Sequence, residues 1–218
     1  MDSGRRIVIT YLLEDIAHRN FLTSVVQRIA KDSGVKPGQL EHNVESPGAL
    51  KKRVSRLKRL ASTAQRPRRS KPLAQDTLCD ILIVAMDSNC MGLGKRRAAL
   101  RKLLSGLAHP PADCVVFAIP DPHVELWYLA DGRAFNAVFG KGAAPKRPQH
   151  KCGKDRYKDI LARSLAEMGI RSRLGGPEYG DEIAQELDFS VLSDTDRGFK
   201  EFADDLRRAF KQVQSASE

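Results

Sequence analysis

Residues 79 to 87 read Cys79-Asp80-Ile81-Leu82-Ile83-Val84-Ala85-Met86-Asp87, an almost unbroken apolar run closed by an acid. A half-buried strand alternates apolar and polar side chains. A strand covered on both faces needs apolar ones throughout, as in a parallel sheet layered between helices. Two other runs share this shape: IVITYLL, from Ile7, ends at Glu14, and CVVFAIP, from Cys114, ends at Asp121 with Glu125 just beyond.

After Glu14, the spacing of Ile16, Phe21, Leu22, Val25, Val26 and Ile29 predicts a helix closed by Gly34. VKPGQLEHNVES reads as a loop with a short second strand. SNCMGLGKRRAALRKLLSGL predicts a glycine-containing turn and a basic helix to Leu104, and PHVELWYLADGRAFNAVFG continues as helical segments. Strand, helix and strand in this order predict an α/β sandwich with right-handed crossovers and helices on both faces of a parallel sheet. Beyond a polar connection at 141 to 154, RYKDILARSLAEMGI predicts a helix stopping at Gly169, and DEIAQELD a short one. A terminal helix carries Phe199, Phe202, Leu206 and Phe210 on one face. The expected division is an α/β core over 1–140, with a basic insertion at 51–72, and a helical extension over 141–218 packed on it.

The chain has 218 residues, 41% of them hydrophobic, and a formal net charge of +10. That length and composition suffice for a substantial core, and the charge favours a polyanionic partner. Between Lys51 and Lys71 stand ten basic residues and no acid, matching the whole net charge. Lys51, Lys52, Arg53, Arg56, Arg66, Arg68 and Arg69 are therefore candidates for tracking a nucleic-acid backbone. A solvated surface excursion gives the same pattern. Lys154, Arg156 and Lys158 form a second basic patch at a helix start, and Lys151 beside them is a candidate for stabilising charge on a phosphate.

No apolar stretch approaches the roughly 18 residues of a membrane span, and MDSGRRIVITYLLED carries acids where a secretion signal has none. The expectation is a cytoplasmic protein without a membrane partner. Cys79, Cys90, Cys114 and Cys152 include no CxxC pair, so neither a disulfide nor a structural zinc is expected.

In open parallel sheets the site lies beyond the carboxyl ends of the strands, where acids far apart in sequence converge. Glu14, Asp87 and Asp121 hold such positions and Glu125 follows one helical turn later, so a carboxylate shell for Mg²⁺ or Mn²⁺ is the chemical expectation. Each acid taken alone can equally end its strand and cap the next helix. His123 is a candidate acid or base near neutrality, and Glu178, after a glycine pair, is a further acidic candidate. His18 is expected to pair with a local acid and Trp127 to pack in the core. GLGKRR at 92 to 97 lacks the spacing of a phosphate loop, so no nucleotide hydrolysis is inferred.

The strand ending in Glu14, the strand ending in Asp87-Ser88-Asn89 and the basic helix after it resemble the Toprim fold of topoisomerases, primases and OLD-type nucleases. LLEDIAHRNFL, VAMDSN and IPDPHVELWYLAD in succession resemble small bacterial Toprim-like proteins, among them partners of ABC-type ATPases in phage defence. The resemblance spans about residues 5 to 140. It implies Mg²⁺-dependent or Mn²⁺-dependent phosphodiester chemistry, with Glu14 as ligand or general base, Asp87 as principal ligand, Asn89 assisting, and Glu125, with Asp121 as a weaker candidate, completing the shell. It also implies an ABC-type ATPase partner. Asn89 stands where the family pattern has an acid, so one ligand charge is missing. The expected function is a metal-dependent nuclease acting on DNA or RNA in anti-phage defence. The alternative is a non-catalytic nucleic-acid-binding or complex-assembly module with a degenerate site. A homodimer is a further possible assembly.

Overall fold

The three apolar runs form parallel neighbours in one sheet. The computed structural model describes residues 5–44, 79–105, 112–146, 148, 150–153 and 155–216. Strand β1 is Ile7–Leu13, β2 Leu40–Val44, β3 Cys79–Ala85 and β4 Ala112–Ala118. Their order is β2-β1-β3-β4 and every pairing is parallel. The chain steps one way from β1 to β2 and the other way from β1 to β3 and β4, so the strand order reverses between β1 and β3. A crevice opens at such a reversal because the connections leave toward opposite sides.

All seven residues of β3 are buried, as its unbroken apolar pattern requires of a central strand. One sheet face presents Ile9, Tyr11, Leu13, Ile81, Ile83, Ala85, Val116 and Ala118 to a large cluster shared with most of the helices. The other presents Leu12, Leu82, Val84 and Phe117 to Leu93, Leu100, Leu103 and Leu104 of helix α2 (Leu93–Leu104). Helices thus cover both faces, the expected architecture.

Helix α1 (Ile16–Asp32) starts at the N-cap Asp15, whose side chain accepts from His18 N, and buries Ala17, Phe21, Val25 and Ile29 against the sheet. After β4 come the short helix α3 (Glu125–Tyr128) and α4 (Gly132–Phe139). The extension supplies α5 (Arg156–Glu167), α6 (Gly180–Glu186), α7 (Phe189–Thr195) and α8 (Arg197–Ser215). Tyr157, Leu161, Phe199, Phe202, Leu206 and Phe210 belong to the same cluster as β1 and β3. α8 lies close to β4 because Gly198 leaves room: a Cβ there would stand 2.3 Å from Ile119 O. Trp127 is fully buried at the centre, edge-on to Phe199 at 5.2 Å and beside Phe21 at 6.0 Å.

The cysteine expectation is corrected. Cys90 and Cys152, separated by 62 residues, form a disulfide with their Cα atoms 5.8 Å apart. Spacing along the chain carried no sign of it, because the fold alone brings the turn after β3 against the segment before α5. Cys79 and Cys114 lie buried in the sheet. No described helix is long and apolar enough to cross a membrane. The basic stretch with Lys51, Lys52, Arg53, Arg56, Arg66, Arg68 and Arg69 lies outside the described residues, as does Lys154.

Candidate metal centre

The register places Leu13 beside Ala85 and Ala85 beside Ala118, so the carboxyl ends of β1, β3 and β4 are level. Pairing continues one residue further: Glu14 N donates to Ala85 O at 3.1 Å, and Met86 N to Ala118 O at 3.1 Å. Glu14 and Asp87 therefore emerge side by side where the strand order reverses. Glu14 Oε2 accepts the backbone N–H of Asp87 at 2.9 Å.

Asp87 is the hub. Its Oδ1 accepts from Val124 N at 3.0 Å and lies 3.1 Å from His18 Nε2, and its Oδ2 lies 3.0 Å from His123 Nδ1. His18 is fully buried in the first turn of α1. Its Nδ1 lies 2.8 Å from Asp15 Oδ1, the same oxygen that caps the helix. Its Nε2, despite the nearness of Asp87, lacks the alignment of a hydrogen bond. One ligand atom from each of Glu14, His18 and Asp87 can be chosen so that all three lie within 4.8 Å of one another.

Glu125 opens α3 and is 1% exposed, yet neither carboxylate oxygen completes a hydrogen bond among the described residues. Among the described residues, Lys158 places its Nζ 4.0 Å from Oε1. Burying a carboxylate without such bonds is costly, and either a proton or a counter-charge brought to the cavity relieves it. Glu14, Asp15, Asp87, His123 and Glu125 face one cavity of about 230 Å³, lined also by Asn89, Asp155, Tyr157 and Lys158, while the fully buried His18 is not in its lining. Five of those nine are acids, against Lys158 and His123.

The electrostatics follow from burial and crowding. Burial raises the Glu14 carboxyl, and the Asp87 charge adds to it against a lowering bond from the Asp87 backbone. Burial likewise raises Glu125, with Asp87 again adding to the effect. For His18, burial opposes the charge, but Asp87 and Asp15 prevail and push it up to about 10. Asp87, despite burial, is held down to about 2 by His18 and His123. His123 is raised by its bond to Asp87, against partial burial.

Linkage fixes the pH dependence of the metal-free protein. His18 titrates higher folded than its ordinary 6.5, so its contribution is complete below pH 6.5 and lost as pH rises through about 10. Asp87 titrates lower than its ordinary 3.8, so its contribution is complete above that value and lost as pH falls through about 2. The urea midpoint measured in EDTA is expected to decline from pH 6.5 toward 10, less steeply in His18→Gln. A wild-type profile no steeper than that of His18→Gln overturns the charged assignment of His18.

Among the residues expected from sequence, the fold brings Glu14, Asp87, Asn89, His123, Glu125 and Lys158 to one cavity. Asp121 is placed elsewhere. It accepts the Ser88 hydroxyl, stands 3.6 Å from His150 Nε2, and lines a separate cavity beneath Trp127. Lys151 is exposed and lies outside the cavity lining; its backbone N–H donates to the Tyr157 hydroxyl at 2.9 Å. Arg156, half-buried, also lies outside the lining. Glu178 is no part of the site: its carboxylate gathers Ser172 Oγ and the N–H groups of Arg173, Leu174 and Gly176, closing a turn.

Asp15, Asp155 and Tyr157 escaped sequence reading. Asp15 caps α1, and its second bond depends on the His18 rotamer. His18 pairs with its local acid as expected and also faces Asp87. Asn89 is exposed and has a φ of 48°, a left-handed conformation that asparagine tolerates better than most residues, so the backbone gives it a reason of its own. The disulfide ties the turn holding Asn89 and Cys90 to the segment holding Lys151 and Cys152.

These donors fit a divalent cation: oxygen ligands in excess, buried atoms without partners, and a surplus of negative charge. Compared with known proteins, the chain matches no family model, no curated protein and no solved structure.

Proposed function

We propose that this chain is a divalent-metal-dependent phosphodiester hydrolase of Toprim-like fold acting on nucleic acid. The observation that carries it is the convergence of Glu14 and Asp87, from adjacent strand ends, with the buried Glu125, which completes no side-chain hydrogen bond among the described residues, in one cavity beside Lys158. Glu14 and Asp87 would hold the cation, with Asn89 and Glu125 at its margin. When bound, a divalent cation there supplies charge neutralisation at a phosphate and acidifies a coordinated water.

The chain's own residues account for the rest. Lys158 places a positive charge where a phosphate oxygen would otherwise meet only carboxylates. Glu125, raised by burial, takes the proton of the attacking water, because a base titrating nearer neutrality is the more effective one. His123, raised by its bond to Asp87, carries a proton and delivers it to the departing oxygen. Asp87 fixes the ring through Nδ1, leaving Nε2 as the donor. The exposed Lys95, Arg101 and Lys102 on α2 add positive charge on the opposite face of the sheet, and the sequence at 51–71 contributes ten further basic residues. Anti-phage defence and an ABC-type ATPase partner belong to the same proposal, resting on the resemblance alone.

The deciding experiment incubates the purified chain with plasmid, single-stranded DNA and total tRNA in Mg²⁺, Mn²⁺ or EDTA, with and without a candidate ATPase. Cleavage that requires metal is expected. Binding that is indifferent to metal, with no cleavage in any arm, overturns the enzyme reading in favour of a binding or assembly module, the reading to which Asn89 in its left-handed turn lends support.

A further inference from the structure

Against the cavity acids Asp15 and Asp87 stands His18, a group that a purely oxygen-coordinated Mg²⁺ site does not need. It has no exposed surface and lies outside the cavity lining, touching two of the acids that form it. Its two nitrogens are treated differently. Nδ1 is bound at 2.8 Å to Asp15 Oδ1, which is itself fixed by capping α1. Nε2 lies 3.1 Å from Asp87 Oδ1 without completing a hydrogen bond among the described residues, and the ring forms one group with Glu14 and Asp87 whose ligand atoms lie within 4.8 Å of one another. A carboxylate holding one imidazole nitrogen while the other is presented to acids is the arrangement that orients metal-bound histidines, and a cation arriving there displaces the Nε2 proton that His18 carries in the metal-free protein. Glu125, 1% exposed and with neither oxygen completing a hydrogen bond among the described residues, is a second buried group in that cavity which a cation would stabilise beyond the Lys158 ammonium 4.0 Å away.

We propose that His18 Nε2 is itself a ligand, oriented by Asp15, and that the site formed with Glu14 and Asp87 selects a first-row divalent transition ion over Mg²⁺. The inference rests on the reading of this cavity as a metal centre. The physical basis is donor type. Mg²⁺ takes hard oxygen donors and keeps much of its water, so an imidazole adds little to its binding. First-row transition ions gain from nitrogen donors, and a ring already locked in place loses no further freedom on binding. The sequence gives a local reason for the geometry as well. Asp15 and His18 stand three apart across the N-cap, so one carboxylate can bind both the amide and the ring of the same residue.

The test uses the full chain and reads binding rather than turnover. Calorimetric titration with MnCl2 and with MgCl2 is expected to show Mn²⁺ at least about tenfold tighter, and Asp15→Asn, which keeps a competent cap, to weaken Mn²⁺ by about 10- to 100-fold. His18→Gln replaces the nitrogen with an amide oxygen of similar reach and is expected to erase the preference for Mn²⁺ while sparing Mg²⁺. Pulsed electron paramagnetic resonance of bound Mn²⁺ decides the matter without any variant. The wild type should show modulation from a directly coordinated imidazole nitrogen, retained in His123→Gln. Mn²⁺ bound without nitrogen modulation overturns this inference and leaves an oxygen-only metal site standing. Failure of both ions to bind removes the metal centre and this inference together.

Discussion

Glu14→Gln is expected to lower metal-dependent cleavage by on the order of 10²- to 10³-fold, the usual cost of losing one strong electrostatic contributor, while leaving stability within about 1 kcal/mol of the wild type. The second half of that expectation follows from the bonding. Glu14 contributes one structural hydrogen bond, accepted by Oε2 from Asp87 N at 2.9 Å, and a glutamine carbonyl can accept it equally. What disappears is a negative charge at the strand end, needed for a cation and not for the fold. Asp87→Asn should behave differently. Its carboxylate meets the fully buried His18 and also His123, besides accepting Val124 N. Neutralising it strands a buried imidazolium, and removing one partner of a buried pair costs about 3–5 kcal/mol. Cleavage rates and urea midpoints measured on both variants therefore separate chemistry from folding. Equal activity in Glu14→Gln and wild type refutes the role given to Glu14, and equal midpoints in Asp87→Asn and wild type refute the buried pair.

Trp127→Ala is expected to cost about 3–5 kcal/mol, the range for emptying a large aromatic site in a packed interior. Trp127 has no exposed surface, contacts Phe199 edge-on at 5.2 Å, and stands 6.0 Å from Phe21 and 6.3 Å from Phe202. It joins α1, α3 and α8, so the void opens where elements of the core and of the C-terminal extension meet. Glu125 lies two residues before it on the same short helix, and metal affinity should fall along with stability. Trp127→Phe keeps most of the volume and is expected to lose less than half as much. Unfolding of the wild type can be followed by the emission of this sole tryptophan, and of the variants by far-ultraviolet circular dichroism. A loss under about 1 kcal/mol in Trp127→Ala would show that the surrounding rings close the gap.

Much of the architecture was legible because burial writes itself into residue type. CDILIVA could only be a strand covered on both faces, and all seven of its residues are buried. The helix after Glu14 was equally plain, since its apolar stripe recurs at helical spacing and Gly34, with φ at 81°, ends it. By contrast, α7 was not foreseen. Seven residues with two buried positions, Phe189 and Leu192, are too few for a periodicity to stand out.

The site was legible in part and for a specific reason. A strand end is a place, so an acid there can be assigned to an edge of the sheet, and Glu14 and Asp87 are found at that edge. Asp121 satisfied the same rule and still went elsewhere, because the chain turns after Pro120 and its carboxylate meets the Ser88 hydroxyl. His18 and Lys158 show the converse. Each looks like an ordinary helix residue, and only the approach of α1 and α5 to the same crevice gives either a role.

By itself the sequence determined the strands, the main helices, the sheet edge to which the acids belong and the excess of positive charge, all of which depend on residue type and short-range period. Tertiary structure alone decided which acids share a cavity, which nitrogen of His18 meets Asp87, that Glu125 is buried without a hydrogen bond among the described residues, and that Cys90 meets Cys152. Those outcomes depend on distances between segments separated by tens of residues, set by the packing of helices on the sheet, and no local pattern encodes them.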